Sequence, residues 1–91
     1  MTQEELKDIA RCGETTTIQF KEQFTGQKEI AKEMIAFANT LGGQIFFGIK
    51  DNTGELVGLS YDEIQAISRE LGNAANEHVR PTIYITTDVV R

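Results

Sequence analysis

The sequence predicts a mixed α/β (α+β) fold, built as a two-layer sandwich of helices against a mixed sheet. One observation is an apolar helix over residues 27–41 that leads through Gly42-Gly43 into a strand over 44–50. That strand is apolar on both faces, which is typical of a strand in the middle of a sheet. Another observation is the alternating, β-branched stretch 14–21, which predicts a strand with one buried face.

Two capping boxes predict the starts of two further helices. Thr2 is followed three residues later by Glu5, and Ser60 is followed three residues later by Glu63. In each pair the hydroxyl and the carboxylate can satisfy backbone N–H groups of the first helical turn. We expect the second of these helices to end at Gly72 or to continue to Glu77.

The main helix over residues 27–41 has a wide apolar face. Its large members recur at helical spacing: Ile30, Met34, Phe37 and Leu41. Just past its end, Gly42 or Gly43 can adopt the left-handed conformation that helix ends commonly require.

Glycines also shape the remaining strands. Residues 51–54 predict a hairpin turn with a positive φ at Gly54, and 55–59 a return strand. In the central strand, Gly48 indicates a close approach by backbone, helix or ligand. A last strand is predicted over Thr82–Val90, so the predicted order is α-β-α-β-β-α-β.

Length and composition limit the class of protein. The 91 residues suffice for one small domain, and because the chain ends in a strand-like segment we expect it to be the N-terminal part of a longer protein. No run of 18 apolar residues is present, so no membrane contact is expected. The single cysteine, Cys12, excludes an internal disulfide and fits a reducing cytoplasm, which is the predicted location.

The formal net charge of −5 argues against a domain that coats nucleic acid without specificity. A local basic patch is still compatible with that charge, and its candidate members are Lys21, Lys28, Lys32 and Lys50. Glu29 and Glu33 alternate with the two helical lysines, however, so an ordinary solvated helix face is the alternative.

Carboxylates offer a second kind of chemistry. Glu14 precedes the first strand and Asp51 follows the central one, so the two would hold Mg²⁺ or Mn²⁺ if those strands were neighbours. The simpler interpretation is that Asp51 starts a turn and Glu14 flanks a strand. The only histidine, His78, is interpreted as a solvated residue, and the absence of a P-loop or dinucleotide motif argues against ATP as a cofactor.

Four segments together resemble the Schlafen AlbA-2 domain family, formerly labelled a divergent AAA ATPase. They are Glu14–Lys21, Ile35–Gly43, Phe47–Gly54 and Val57–Leu59. The clearest match is Ala-Phe-Ala-Asn-Thr-x-Gly-Gly, within the second segment. The resemblance implies an Alba-like fold and, in bacteria and archaea, a DNA-binding module of a transcriptional regulator.

Some vertebrate relatives in this family are RNases with three acidic residues. By motif these positions correspond here to Glu14, Gln19 and Asp51. Because Gln19 is neutral, it weakens divalent-metal binding and argues against nuclease activity.

The favoured hypothesis is a DNA-binding domain of a transcriptional regulator, with RNA as a further candidate ligand. Lys21, Lys28, Lys32 and Lys50 would contact phosphates, and Gln19 and Asn39 would donate hydrogen bonds. One alternative is a metal-dependent endoribonuclease using Glu14 and Asp51. Another is a protein-interaction module that dimerises through the edge of Thr82–Val90.

Overall fold

The computed structural model describes residues 1–79 and 85–90, and it mixes helices with strands. The elements, in order, are α1 (Gln3–Cys12), β1 (Ile18–Lys21), α2 (Gln27–Ala38), β2 (Gln44–Phe47) and α3 (Tyr61–His78). The α+β class is therefore confirmed. The observed order among the described residues is α-β-α-β-α, so the predicted Alba-like order stays a prediction.

The chain divides into two compact units. The sheet unit contains α1, β1, β2 and the hairpin that follows β2. The helix unit contains α2 and α3.

In the sheet unit, β1 and β2 pair in parallel, with Phe20 opposite Phe46 in the register. Their rings meet edge to face with centroids 6.2 Å apart, a favourable aromatic geometry. The buried core consists of Ala10, Phe20 and Ile49, and the partly buried residues packed against it are Leu6, Ile9, Ile18 and Phe46. The apolar face of α1 thus covers this core.

The hairpin after β2 is present, but its return strand is shorter than predicted. Residues 55–59 contribute one antiparallel bridge, between Ile49 and Leu56. The carbonyl of Gly48 accepts hydrogen bonds from both the Val57 and Gly58 N–H groups, at 2.8 and 3.0 Å. In a regular antiparallel ladder each carbonyl accepts one N–H group of the facing strand. Here one carbonyl accepts two consecutive N–H groups, so the regular ladder does not continue along residues 55–59.

The close approach predicted at Gly48 is confirmed. Gly48 has φ +91°, and a Cβ atom there would lie 3.3 Å from both the Gly58 carbonyl carbon and Leu59 Cγ. The neighbour at this position is therefore the backbone of the returning chain rather than a ligand.

In the helix unit, α2 packs against α3 through small and medium apolar side chains. The buried residues are Ile30, Ala31 and Met34 of α2, Ile67, Leu71, Ala74 and Ala75 of α3, and Val79. The Gln27 side-chain amide donates a hydrogen bond to the Glu70 carboxylate, which adds a polar link between the helices. The third helix runs through Gly72 to His78.

The prediction that α2 continues to Leu41 was wrong. The helix ends at Ala38, and Leu41 is 96% exposed. The Thr40 hydroxyl donates to the Phe37 carbonyl at 3.1 Å, and the Gly42 N–H donates to the same carbonyl at 2.9 Å. The Phe37 carbonyl, in the last turn of the helix, thus has hydrogen-bond donors other than the N–H group four residues later that a continuing helix would supply. Gly42, at φ +87°, is the left-handed residue that the sequence predicts.

The predicted last strand lies partly outside the described residues. Positions 82–84 belong to the part that is not described, and residues 85–90 form neither helix nor strand. Dimerisation through Thr82–Val90 therefore stays a prediction. Within residues 1–79 and 85–90, no helix combines the length and the apolar character that a membrane span requires.

Candidate phosphate-binding site

The start of α2 differs from the starts of the other two helices. Thr2 and Ser60 cap α1 and α3 with full capping boxes. The N-cap of α2 is Gly26, which has no side chain and makes no side-chain capping bond. The first-turn N–H groups of a helix carry partial positive charge and attract anions. At α2, no N-cap side chain occupies that position.

A depression of about 860 Å³ lies at this helix start, wholly within the helix unit. Its lining residues are Thr25, Gly26, Gln27, Lys28, Glu29, Lys32 and His78. Lys28 and Lys32 are one helical turn apart and exposed. The structure therefore brings two of the predicted phosphate-contacting lysines to one concave surface.

The depression also contains one acidic residue. Glu29 lies beside Lys28 in the first turn of α2 and is exposed. Its carboxylate repels an approaching phosphate and offsets part of the attraction from the lysines. Among the lining residues that the structure describes, the two lysines still outnumber this one carboxylate.

His78 is the residue of this site that sequence reasoning missed. It is the last residue of α3, it is half-buried, and it lines the same depression as Lys28 and Lys32. Because His78 is far from α2 along the chain, no short sequence motif contains it together with Lys28 and Lys32. Only the packing of α3 against α2 brings it there.

The other two predicted lysines lie in the sheet unit. The Lys21 carbonyl accepts hydrogen bonds from the Gly48 and Ile49 N–H groups, at 2.7 and 3.3 Å. The backbone of Lys21 is therefore next to the segment that leads into Lys50. Lys21 is the last residue of β1, Lys50 lies three residues beyond the end of β2, and both are half-buried.

The two predicted amide donors are placed differently. The Gln19 side-chain amide donates to the Thr15 carbonyl at 3.3 Å, so it has a partner within its own segment. Asn39 is exposed at the C-cap of α2. It lies about 16 Å along the helix from Lys28, at 1.5 Å per residue. Asn39 is therefore not part of the depression.

The predicted acidic pair belongs to the sheet unit. The Glu14 carboxylate accepts the Phe20 N–H at 2.8 Å, and Asp51 is exposed in the hairpin turn. Across residues 1–79 and 85–90, no three His, Cys, Asp or Glu side chains come together as a metal-binding group.

One carboxylate outside the depression has a shifted pKa. The backbone N–H of Ser60, and then its hydroxyl group, hydrogen-bond with Glu63 and lower the pKa of this carboxyl below its ordinary value of 4.5. Glu63 is the second member of the α3 capping box, and the ionised form is the better acceptor. The shift therefore reflects helix capping.

Comparison with known proteins identifies the family. A family model described as "Schlafen, AlbA_2" matches residues 14–91. The chain belongs to this family. A relative from Ureaplasma parvum serovar 3, described as an uncharacterized ATP-binding protein, is 40% identical over 76 residues. The match covers 80% of this chain but 21% of the relative, so the chain spans about a fifth of that protein's length. No solved structure matches significantly.

Proposed function

We propose that the chain is a nucleic-acid-binding domain of a DNA-binding transcriptional regulator, and that it holds DNA phosphates at the start of α2. The observation that supports this most directly is the pair Lys28 and Lys32 in one depression. Lysine ammonium groups are suited to phosphate oxygens as compact point charges. Membership of the Schlafen AlbA_2 family agrees with the proposal, because the family resemblance implies a DNA-binding module.

The start of α2 supports the same proposal. Gly26 makes no side-chain capping bond, so no N-cap side chain competes with an anion for the first-turn N–H groups of α2. A bound phosphate would accept hydrogen bonds from these N–H groups.

The acidic net charge of −5 limits how such binding operates. A chain of this charge gains nothing from a general attraction to DNA, so the affinity must come from a few local contacts. Two phosphate contacts predict that log K falls with log salt at a slope of about −1.8, and four contacts, with Lys21 and Lys50, at about −3.6. The slope therefore reports how many of the predicted lysines take part.

The test is fluorescence anisotropy with a labelled DNA duplex and a labelled RNA hairpin, from low to near-physiological salt. We expect binding to the duplex with a slope near −2, and a loss of affinity in Lys28→Gln and Lys32→Gln. Lys7→Gln, which removes an exposed lysine from α1, is the matched control and should bind as wild type does. Absence of binding at low salt would refute the proposal, and a preference for RNA would refute the regulator role.

ATP binding is a second candidate, favoured by the same depression and by the printed description of the Ureaplasma relative. A triphosphate would use the same lysines and the same open helix start. Since the chain spans about a fifth of that relative, the relative's ATP site can equally lie elsewhere in it. Competition distinguishes the candidates: ATP that displaces labelled duplex at micromolar concentration would favour the nucleotide, and no displacement would favour DNA.

A further inference from the structure

We infer that His78 is a third phosphate-contacting residue of the depression and makes phosphodiester binding stronger at acidic pH. The inference rests on the proposed function, because it concerns the same surface. The inference adds to that surface a residue from α3, and it makes the affinity for phosphate depend on pH. The observation behind it is that His78 lines the depression together with Lys28 and Lys32.

The chemistry follows from the imidazole ring. A histidine changes its charge between pH 5 and 8 in ordinary surroundings, and both ring nitrogens donate hydrogen bonds once it is protonated. A protonated His78 would give the depression three cationic side chains from two helices. An anion bound there would in turn favour the protonated ring, because binding and protonation are linked reciprocally.

The charged neighbours on α2 are Lys28, Glu29 and Lys32, and Glu77 precedes His78 on its own helix. Lysines and carboxylates ordinarily keep their charge between pH 6 and 8. A phosphodiester also keeps its single negative charge over this range. Since an α-amino group also ordinarily titrates in this range, the part of the pH dependence that His78→Gln abolishes is the part that reports the histidine.

The expected size is modest because the depression is open to water. Two unit charges 4 Å apart in bulk water interact by about 1 kcal/mol, which corresponds to about a fivefold change in affinity. We expect the wild type to bind duplex DNA about fivefold more tightly at pH 6 than at pH 8. His78→Gln should bind equally at both pH values, whereas Lys28→Gln should bind more weakly but keep the pH dependence.

A direct measurement is available because His78 is the only histidine in the chain. In the tag-free protein, the imidazole Cε1–H proton resonance in the NMR spectrum belongs to this residue alone. The probe is a thymidine dinucleotide with a single phosphodiester, titrated at pH 6. We expect it to shift this resonance. Lys32→Gln should reduce the shift, and Lys7→Gln should leave it unchanged.

The outcomes separate this inference from the proposed function. Duplex binding that depends on Lys28 and Lys32 but leaves the imidazole resonance unmoved would overturn the role of His78 and leave the function standing. Failure of both duplex and dinucleotide to bind at pH 6 would overturn both. Because the NMR measurement uses the wild-type protein, it decides the question even if His78→Gln does not fold.

Discussion

The carboxylate of Glu14 accepts the backbone N–H of Phe20 at a distance of 2.8 Å. Phe20 is 2% exposed and belongs to the core of the sheet unit, so this bond satisfies a backbone donor beside buried residues. Glu14 is also one of the acids that the sequence suggests for metal binding. Its observed partner gives it a structural role at the start of β1.

We predict that Glu14→Ala destabilises the protein. The substitution leaves the Phe20 N–H without its acceptor, which costs about 1–2 kcal/mol, and Glu14→Gln should cost less because an amide oxygen can still accept. Urea denaturation followed by circular dichroism measures the free energy of unfolding. Glu22→Ala, at an exposed position just after β1, is the control. Equal stability of Glu14→Ala and Glu22→Ala would show that the bond contributes nothing.

A second prediction concerns Gly54, in the hairpin turn. Gly54 has φ +74°, and a Cβ atom there would overlap the carbonyl oxygen of Ala10 in α1. Gly58 has nearly the same φ, +76°, but an added Cβ would meet open space. Alanine substitution at Gly58 therefore measures the backbone strain alone, and substitution at Gly54 measures the strain together with the steric clash.

Left-handed strain alone costs about 1–2 kcal/mol, so Gly58→Ala should be destabilised by that amount. Gly54→Ala carries the same strain plus the clash with α1 and should lose about 2–5 kcal/mol. The measurement is again urea denaturation of the two variants in parallel. If both lose the same stability, α1 does not pack on the hairpin as closely as the structure shows.

The features that the sequence predicted well are those decided by residues close together in the chain. Both capping boxes form: Thr2 with Glu5 and Ser60 with Glu63, each pair exchanging two hydrogen bonds. The left-handed Gly42 is a local feature as well. Such contacts span three to five residues, so a sequence pattern describes them almost completely.

The features that the sequence predicted poorly depend on competition or on distant contacts. Leu41 fits the apolar spacing of α2, but periodicity does not reveal that Thr40 binds the terminal carbonyls and ends the helix. The predicted return strand over 55–59 is reduced to a single bridge, because the Gly48 carbonyl accepts hydrogen bonds from two consecutive N–H groups. His78 joins Lys28 and Lys32 only through helix packing, which no short motif encodes.

A third prediction uses the pKa of Glu63, which its hydrogen bonds with Ser60 lower. Since the folded-state pKa lies below the unfolded one, the stabilisation is fully present above the unfolded pKa and is lost as pH falls through the folded pKa. We expect Ser60→Ala to raise the Glu63 pKa partway toward its ordinary value, because the hydroxyl group is lost while the backbone N–H of residue 60, the larger cause, still donates. The acid-dependent loss of stability should become smaller accordingly. Carboxyl-carbon NMR titration of both proteins measures the pKa. An unchanged Glu63 pKa in Ser60→Ala would show that the hydroxyl group contributes nothing to the shift.

The fourth prediction is that removing one acid from the depression strengthens DNA binding. Glu29 lines the depression with Lys28 and Lys32, so Glu29→Gln removes the one carboxylate that repels a phosphate there. At an exposed site, removal of one charge is expected to raise the affinity about two- to fivefold at low salt, and less at physiological salt because ions screen the repulsion. Fluorescence anisotropy with the labelled duplex measures this change.

Glu22→Gln is the matched control for this experiment, because it changes the net charge from −5 to −4 in the same way but lies outside the depression. If DNA responds to the charge of the whole chain, the two variants will gain equally. If it binds at the start of α2, Glu29→Gln will gain clearly more, because repulsion falls with distance and is screened beyond about 10 Å at 0.1 M salt. A gain confined to Glu22→Gln would place the phosphate contacts on the sheet unit, with Lys21 and Lys50 as the residues to test next.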